Sequence, residues 1–251
     1  AGSGHPGLPG APAMDAHMYE NPATQENLEK LRSRGISIAG PAEGRLASGL
    51  VGKGRMLETQ ELLGHIRMVL GRDGDLAARK IVVSAGGTQE PMDPVRVISN
   101  PSSGKMGYAM AEAARDRGSN AVVVSAPTTL TDPVGVRGVR IQTALEMRDA
   151  IIEECEDANA LIMAAAVTDW RPATVSRQKI KKEAADSQAI ELTKNPDILA
   201  ELRGDNLIKV GFAAESEDLV ANAQVKLVSK GLHLIVANDI TAQNSGFAAD
   251  T

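Results

Sequence analysis

Hydrophobic periodicity divides the chain into two rhythms. Between Glu20 and Gly35, Leu28 and Leu31 share a helical face and Gly35 is placed to end the helix, after which ISIAGP reads as a short strand. A Gly-rich stretch from Gly44 to Gly54 leads into a second helix, about Thr59 to Leu70, carrying Leu62, Leu63, Ile66, Val69 and Leu70. From Lys80 the pattern changes to strand, loop, helix, repeated. Strands are predicted at Ile81–Ala85, Ala121–Ser125, Val139–Thr143, Ala160–Ala166, Ile208–Phe212 and Leu232–Ala237. The intervening helices are predicted at Lys105–Arg117, Ala144–Cys155, Pro196–Arg203 and Asp218–Lys230. This alternation gives the fold class α/β, a Rossmann-like doubly wound, mostly parallel sheet. Right-handed crossovers then bring the ends of the first, fourth and fifth strands to one rim, where ligands of such sheets sit.

The domain reading follows the same change of rhythm. Residues 1–10, AGSGHPGLPG, are too rich in Gly and Pro for a regular element and read as a linker or a remnant added for expression. Residues 11–72 form a first segment, 73–79 a polar linker, and 80–251 the α/β domain.

Composition narrows the partners. Apolar residues make up 43% of the 251, but aromatics only 2%, so the core must be built from Ala, Val, Ile, Leu and Met. A net charge of −5 gives no basic footprint, so no nucleic-acid partner is expected and any phosphate binding should be local. Cys155 has neither a second cysteine nor a nearby histidine in sequence and reads as structural. No apolar run approaches a membrane span, and the first ten residues lack the core of a signal peptide, so no membrane is expected and the cytoplasm is the default compartment.

The candidate chemistry lies in the loops after the strands. Gly86, Gly87 and Thr88 follow the first strand, where small residues let a ligand approach the backbone; a tight turn needing positive φ would also account for the glycines. Asn100, Pro101, Ser102, Ser103, Gly104 and Lys105 open the next helix, gathering backbone N–H groups, hydroxyls and an ammonium into an anion loop. A serine N-cap would explain one of these serines but not the cluster. Neither loop has the spacing of a dinucleotide fingerprint or a Walker loop, which disfavours a nicotinamide oxidoreductase. The fourth strand runs into Ala164, Ala165, Ala166, Val167, Thr168 and Asp169, and a rim carboxylate such as Asp169 suits a divalent cation bridging phosphates, or a helix cap. Lys179, Ile180, Lys181 and Lys182 form a basic run suited to a triphosphate or a departing pyrophosphate, or to a solvated loop. Lys226 and Lys230 are four apart on one helical face, and Phe212 offers a ring for stacking or for the core.

Taken together, GGTQEPMDPVRVISNPSSGKMG, AAAVTDW, KIKK, KNPDI, VGFAAE and VANDI occur in the order found in bacterial phosphopantothenoylcysteine synthetase, the C-terminal half of a bifunctional decarboxylase/synthetase, and this resemblance runs from about Lys80 to the end. It implies a ligase of coenzyme A biosynthesis. CTP would activate 4′-phosphopantothenate as an acyl-cytidylate with Mg2+, and cysteine would displace CMP. By the same resemblance, Met163, Ala164, Ala165, Asp169, Lys179, Pro196, Asp197, Ile198, Leu199, Phe212, Lys226 and Lys230 fall on CTP-binding positions, and Asp169 would meet the metal. Arg96 and Asn100 match positions used at the acyl-cytidylate stage, so Asn100, Lys179 and Arg96 are the catalytic candidates. A homodimer is implied as well.

The N-terminal segment, in PAMDAHMYENPAT and RLASGLVGKGRM, resembles the end of a flavodoxin-like decarboxylase domain. Family members commonly carry Asn where Asp15 stands and a proton-donating Cys where Ser48 stands, and a serine hydroxyl is a far weaker acid. His17 reads as a surface or loop residue. Neither FMN binding nor decarboxylation is expected from this chain, and its C-terminal end, Asp250-Thr251, lies inside a motif that normally continues. A catalytically silent CTP-binding or assembly module is the alternative to the ligase.

Overall fold

The computed structural model describes residues 9–180, 189–202, 206–215 and 218–239. The chain divides into two compact units, the first comprising 1–77 with short pieces at 115–119 and 133–135, the second comprising the remainder.

In the first unit, α1 (Ala16–Glu20) and α2 (Pro22–Ser33) precede an antiparallel hairpin of β1 (Ala42–Arg45) and β2 (Val51–Arg55), followed by α3 (Thr59–Gly71). Asn21 and Pro22 start α2, the side chain accepting from the amide of Ala23 and the ring filling a position that needs no N–H. The expected strand ISIAGP is a correction: only a single bridge, Gly10 to Ile38, forms there. Gly40 takes a positive φ of 81° and Pro41 has no N–H to donate, so a ladder cannot be extended through them.

The second unit contains β3 (Lys80–Ala85), β4 (Gln89–Pro91), β5 (Val97–Ser99), α4 (Lys105–Asp116), β6 (Asn120–Ser125), β7 (Arg137–Arg140), α5 (Ala144–Cys155) and β8 (Ala160–Met163). It continues with β9 (Trp170–Pro172), β10 (Leu192–Lys194), α6 (Ile198–Glu201), β11 (Ile208–Glu215), α7 (Leu219–Ser229) and β12 (Leu234–Asp239). Six strands form one parallel sheet in the order β12-β11-β8-β3-β6-β7. This is the doubly wound order, and the winding reverses between β3 and β8, where a crevice opens at the carboxyl ends of the strands.

The sheet is buried on both faces, as its continuous apolar runs require. Val82, Val124 and Leu161 pack with Met147, Ile151, Ile198 and Leu199 on one side. Ile81, Val83, Ala121 and Val123 pack with Tyr108, Ala111 and Ala114 on the other. Each fully buried valine contributes on the order of 1.5–3 kcal/mol. Helix α5 begins with a capping box in which Thr143 accepts from the amide of Glu146 and Glu146 accepts from the amide of Thr143. Gly107 lets α4 lie against β3, since a Cβ there would meet that of Ala85 at 2.6 Å.

Several bounds differ from expectation. β8 ends at Met163 rather than Ala166, leaving the three alanines to the rim, while β7 lies at 137–140 because Thr143 is committed to capping. Helix α6 is one turn rather than the span Pro196–Arg203, whose last residue lies outside the described set. The hairpins β4–β5 and β9–β10 were not anticipated.

Candidate functional site

At the carboxyl rim of β8, β11 and β12 the second unit encloses a cavity of about 370 Å3, within the roughly 300–1,000 Å3 of small-molecule sites. Each wall comes from a separate element. The end of β8 and its loop supply Met163, Ala165, Val167, Thr168 and Asp169. The end of β10 and the stretch after it supply Lys194, Asn195, Pro196, Asp197, Ile198 and Leu199. β11 gives Gly211 and Phe212, and Lys226 and Lys230 reach in from α7, with Leu232 and Ile235 closing the side. Of the expected nucleotide positions only Ala164 and Lys179 are absent from this lining.

Charges of both signs line the cavity. Lys230 pairs with Asp197 at 3.3 Å, while Asp197 also caps α6 by accepting from the amides of Leu199 and Ala200. Asp169 is exposed at the rim. Among the described residues no group of three or more His, Cys, Asp or Glu could hold a metal. Asp169 therefore fits Mg2+ only in the manner of sites where one carboxylate is completed by phosphate oxygens and water.

A buried polar knot fixes the rim. The amide of Thr168 donates to Thr88 Oγ1 at 2.9 Å, the two hydroxyls lie 3.0 Å apart, and Thr168 Oγ1 donates to Glu90 Oε1 at 2.9 Å. Glu90 Oε1 also accepts from the amide of Ala144 at 2.8 Å, and Asn195 Nδ2 donates to the carbonyl of Thr168 at 2.8 Å. Arg171 holds the other side of Asn195, donating to its Oδ1 and to the carbonyl of Lys194, both at 2.9 Å. Every member satisfies another, which rigidifies a polar cluster in a low-dielectric core.

The anion-loop candidates lie on the β3 side of the crevice. Gly86 takes φ of 79°, the positive φ anticipated for a tight turn, and Gly87 bridges Ala166 across the two rim loops. Thr88 is fully buried with its hydroxyl committed to Thr168, so it sits beneath the rim rather than on it. Ser102, Ser103 and Gly104 lead into α4 at Lys105, with Ser103 Oγ accepting from the Lys105 amide at 3.4 Å and its carbonyl accepting from Thr128 at 2.9 Å. Asn100 joins the two sides, its Nδ2 donating to the carbonyl of the cavity residue Val167 at 3.2 Å.

Arg96 and Lys179 are gathered elsewhere, at the β4–β5 turn. Arg96 donates to Asp93 Oδ2 through Nε at 3.0 Å and Nη2 at 2.5 Å, and to the carbonyl of Ile180 at 3.0 Å. Lys179 is exposed beside this contact. The rest of the basic run, Lys181 and Lys182, lies outside the described residues.

Sequence reasoning missed Lys194, Asn195, Glu90 and Asp93 and named Thr168 without a role, although all five stand inside the motifs it singled out. The available signal was a polar residue beside a proline, as in Glu90-Pro91, Asp93-Pro94 and Asn195-Pro196. Cys155 is half-buried and burial, first of all, pushes its thiol up to about 11, in keeping with a structural role.

The first unit has its own cavity, lined in part by Met14, Asp15, Arg45, Ser48, Arg55 and Met56. Ser48 Oγ donates to Asp15 Oδ2 at 2.6 Å, and the amide of His17 donates to Asp15 Oδ1 at 3.0 Å. The Ser48 hydroxyl, then the His17 amide, hold the Asp15 carboxyl below its usual range. His17 is on the surface, within α1. Among the described residues no helix is long and apolar enough to cross a membrane.

Both segments of the chain have known relatives. Residues 3–71 match the flavoprotein family model. The coenzyme A biosynthesis bifunctional protein CoaBC of Vibrio cholerae is 46% identical over 241 residues, 94% of this chain. That of Escherichia coli is 45% identical over 244 residues, 95% of this chain. The chain spans 60% of the length of each of these relatives. A crystal structure of the C-terminal domain of CoaBC superposes with a TM-score of 0.58 at 39% identity, covering 65% of this chain and 79% of the other. A Cab2 mutant in complex with phosphopantothenate-cysteine shares the fold at 16% identity, with a TM-score of 0.59 over 74% of this chain and 79% of its own. With residues 76–251 matched by its model, the chain belongs to the family of the DNA/pantothenate metabolism flavoprotein C-terminal domain.

Proposed function

We propose that the second unit is a phosphopantothenate–cysteine ligase of coenzyme A biosynthesis. CTP and the carboxylate of 4′-phosphopantothenate give an acyl-cytidylate and pyrophosphate, and the amine of cysteine then displaces CMP. The observation that carries this reading is the single cavity at the carboxyl rim of β8 and β11, where Phe212, Lys226, Lys230 and Asp169 converge although they are scattered along the sequence. The similarity to CoaBC, and the phosphopantothenate-cysteine held by the Cab2 mutant, support the substrates.

The chemistry asks for what these residues offer. A carboxylate is a poor electrophile, and bringing it to a triphosphate sets one anion against another. Lys226 and Lys230 offset the charge of the bound nucleotide, and Phe212 gives its base or ribose a ring face. Bound at Asp169, Mg2+ would supply further neutralisation of the phosphates. Lys179, on the loop outside the cavity, meets the departing pyrophosphate. Asn100, tied to Val167 at the junction of the two sides, holds the acyl-cytidylate, and the Ser102–Lys105 loop receives an anionic group of the acid. The active form is a cytoplasmic homodimer. Decarboxylation is not expected, because the Ser48 hydroxyl is a weak acid already donating to Asp15.

The test is a nucleotide-dependence assay with phosphopantothenate, magnesium and each nucleoside triphosphate in turn, read as pyrophosphate release before and after adding cysteine. Release with CTP, followed by phosphopantothenoylcysteine, is the expected result. CTP binding without release would replace the ligase by a silent binding module.

A further inference from the structure

The hairpin β4–β5 is tied to the basic loop through one carboxylate. Asp93 is buried, its side chain fully shielded from solvent, and five N–H groups converge on it. Oδ1 accepts from the amides of Val95 and Arg96, both at 2.8 Å. Oδ2 accepts from Arg96 Nε and Nη2 and from the amide of Ile180 at 3.1 Å, a contact spanning 87 residues of sequence. The Arg96 guanidinium closes the loop by donating to the carbonyl of that same Ile180, and Ser176 donates its amide to the carbonyl of Met92 at 2.9 Å. Both backbone groups of Ile180 are thus held from the hairpin, and Lys179 is the residue before it. The Arg96 side chain, foremost, keeps the Asp93 carboxyl far below its ordinary range, so the anchor stays ionised at neutral pH.

A buried carboxylate with this many donors needs an explanation beyond turn formation, because an Asx turn uses only the two bonds to Oδ1. The Oδ2 face is aimed outward from the turn, at Arg96 and at the loop. We propose that Asp93 is a positioning residue for Lys179: it locks the Arg96 guanidinium and the Ile180 backbone together, so that the hairpin sets where the ammonium of the neighbouring lysine stands during cytidylate formation. Arg96 acts in this clasp as the second half of the lock. The inference rests on the proposed role of Lys179 and adds the device that places it.

The experiment is a double-mutant cycle on the full chain. Asp93→Asn keeps an acceptor for the two turn amides but turns an NH2 toward the Arg96 and Ile180 donors. Expected is a fall of roughly tenfold or more in the kcat of CTP-dependent pyrophosphate release, with the KM for CTP within about twofold of the parent. Adding Lys179→Ala to Asp93→Asn should cost no more than Lys179→Ala alone, whereas adding Phe212→Ala should multiply the two losses. Asp93→Glu should recover part of the rate. Limited trypsin digestion at 25 °C supplies a readout independent of turnover: cleavage after Lys179 should accelerate in Asp93→Asn at a temperature well below its melting transition. Losses that multiply in the Lys179 cycle, or trypsin cleavage at the parent rate in a folded Asp93→Asn protein, would overturn the clasp. If the parent chain releases no pyrophosphate, the ligase reading fails, and the trypsin comparison still decides whether Asp93 holds the loop. Should Asp93→Asn not fold, Asp93→Glu carries both measurements.

Discussion

Two cavities, each with about 370 Å3 of water-accessible space, lie one in each unit, and their contrast shows that volume does not select chemistry. In the first unit the acid and the hydroxyl are turned on one another, Ser48 donating to Asp15, and the basic residues of the lining are Arg45 and Arg55 from the hairpin. In the second, three lysines from two separate elements, β10 and α7, line the cavity with a rim carboxylate and an aromatic ring. One arrangement satisfies itself. The other carries three lysines against two aspartates, an excess that we propose a charged ligand offsets.

The sharpest way to break this contrast is Lys179→Ala, which should lower CTP-dependent pyrophosphate release about a hundredfold, since a cation opposite the leaving group is removed; a near-parental rate would end its assignment. Asn100→Asp puts a negative charge beside the Val167 carbonyl and should cut formation of phosphopantothenoylcysteine by at least about tenfold, measured against the pyrophosphate released in the same reaction. Phe212→Ala should raise the KM for CTP about tenfold, the worth of a stacked ring, with kcat held within a few-fold.

Smaller effects sharpen the comparison further. Thr168→Val should lower stability by about 1–3 kcal/mol in urea titration, because Glu90 loses a donor in the core. Ser48→Ala, in the other cavity, should leave pyrophosphate release unchanged. It should move the Asp15 titration, followed by NMR, up toward the ordinary carboxylate value. The sign follows from the depressed native value: the contribution of Asp15 to stability is present above its unfolded pKa and fades as pH falls through the folded one.

Much of this was legible in the chain. Buried parallel strands such as β3 and β6 announce themselves as unbroken apolar runs, and α5 occupies its expected span, Ala144–Cys155. The cavity wall from Pro196 to Leu199 was visible through family resemblance, not through periodicity, since a one-turn helix has no repeat to detect. What remained hidden shares one cause. Glu90 bonds Thr168 across 78 residues and Asp93 bonds Ile180 across 87, and contacts at that separation leave no mark in a local window. The three-residue hairpin strands failed for the complementary reason, being too short to show alternation and carrying Pro91 and Pro172.

The doubly wound sheet meets its cavity through a narrow join. The wall from Lys194 to Leu199 hangs on a three-residue strand and a single helical turn, pinned by Asn195 on one side and by the Asp197 cap on the other. None of its backbone belongs to the six-stranded sheet. Recutting the proposed nucleotide pocket for a different ligand would therefore mean work on these six positions, leaving the scaffold that folds the domain unaltered.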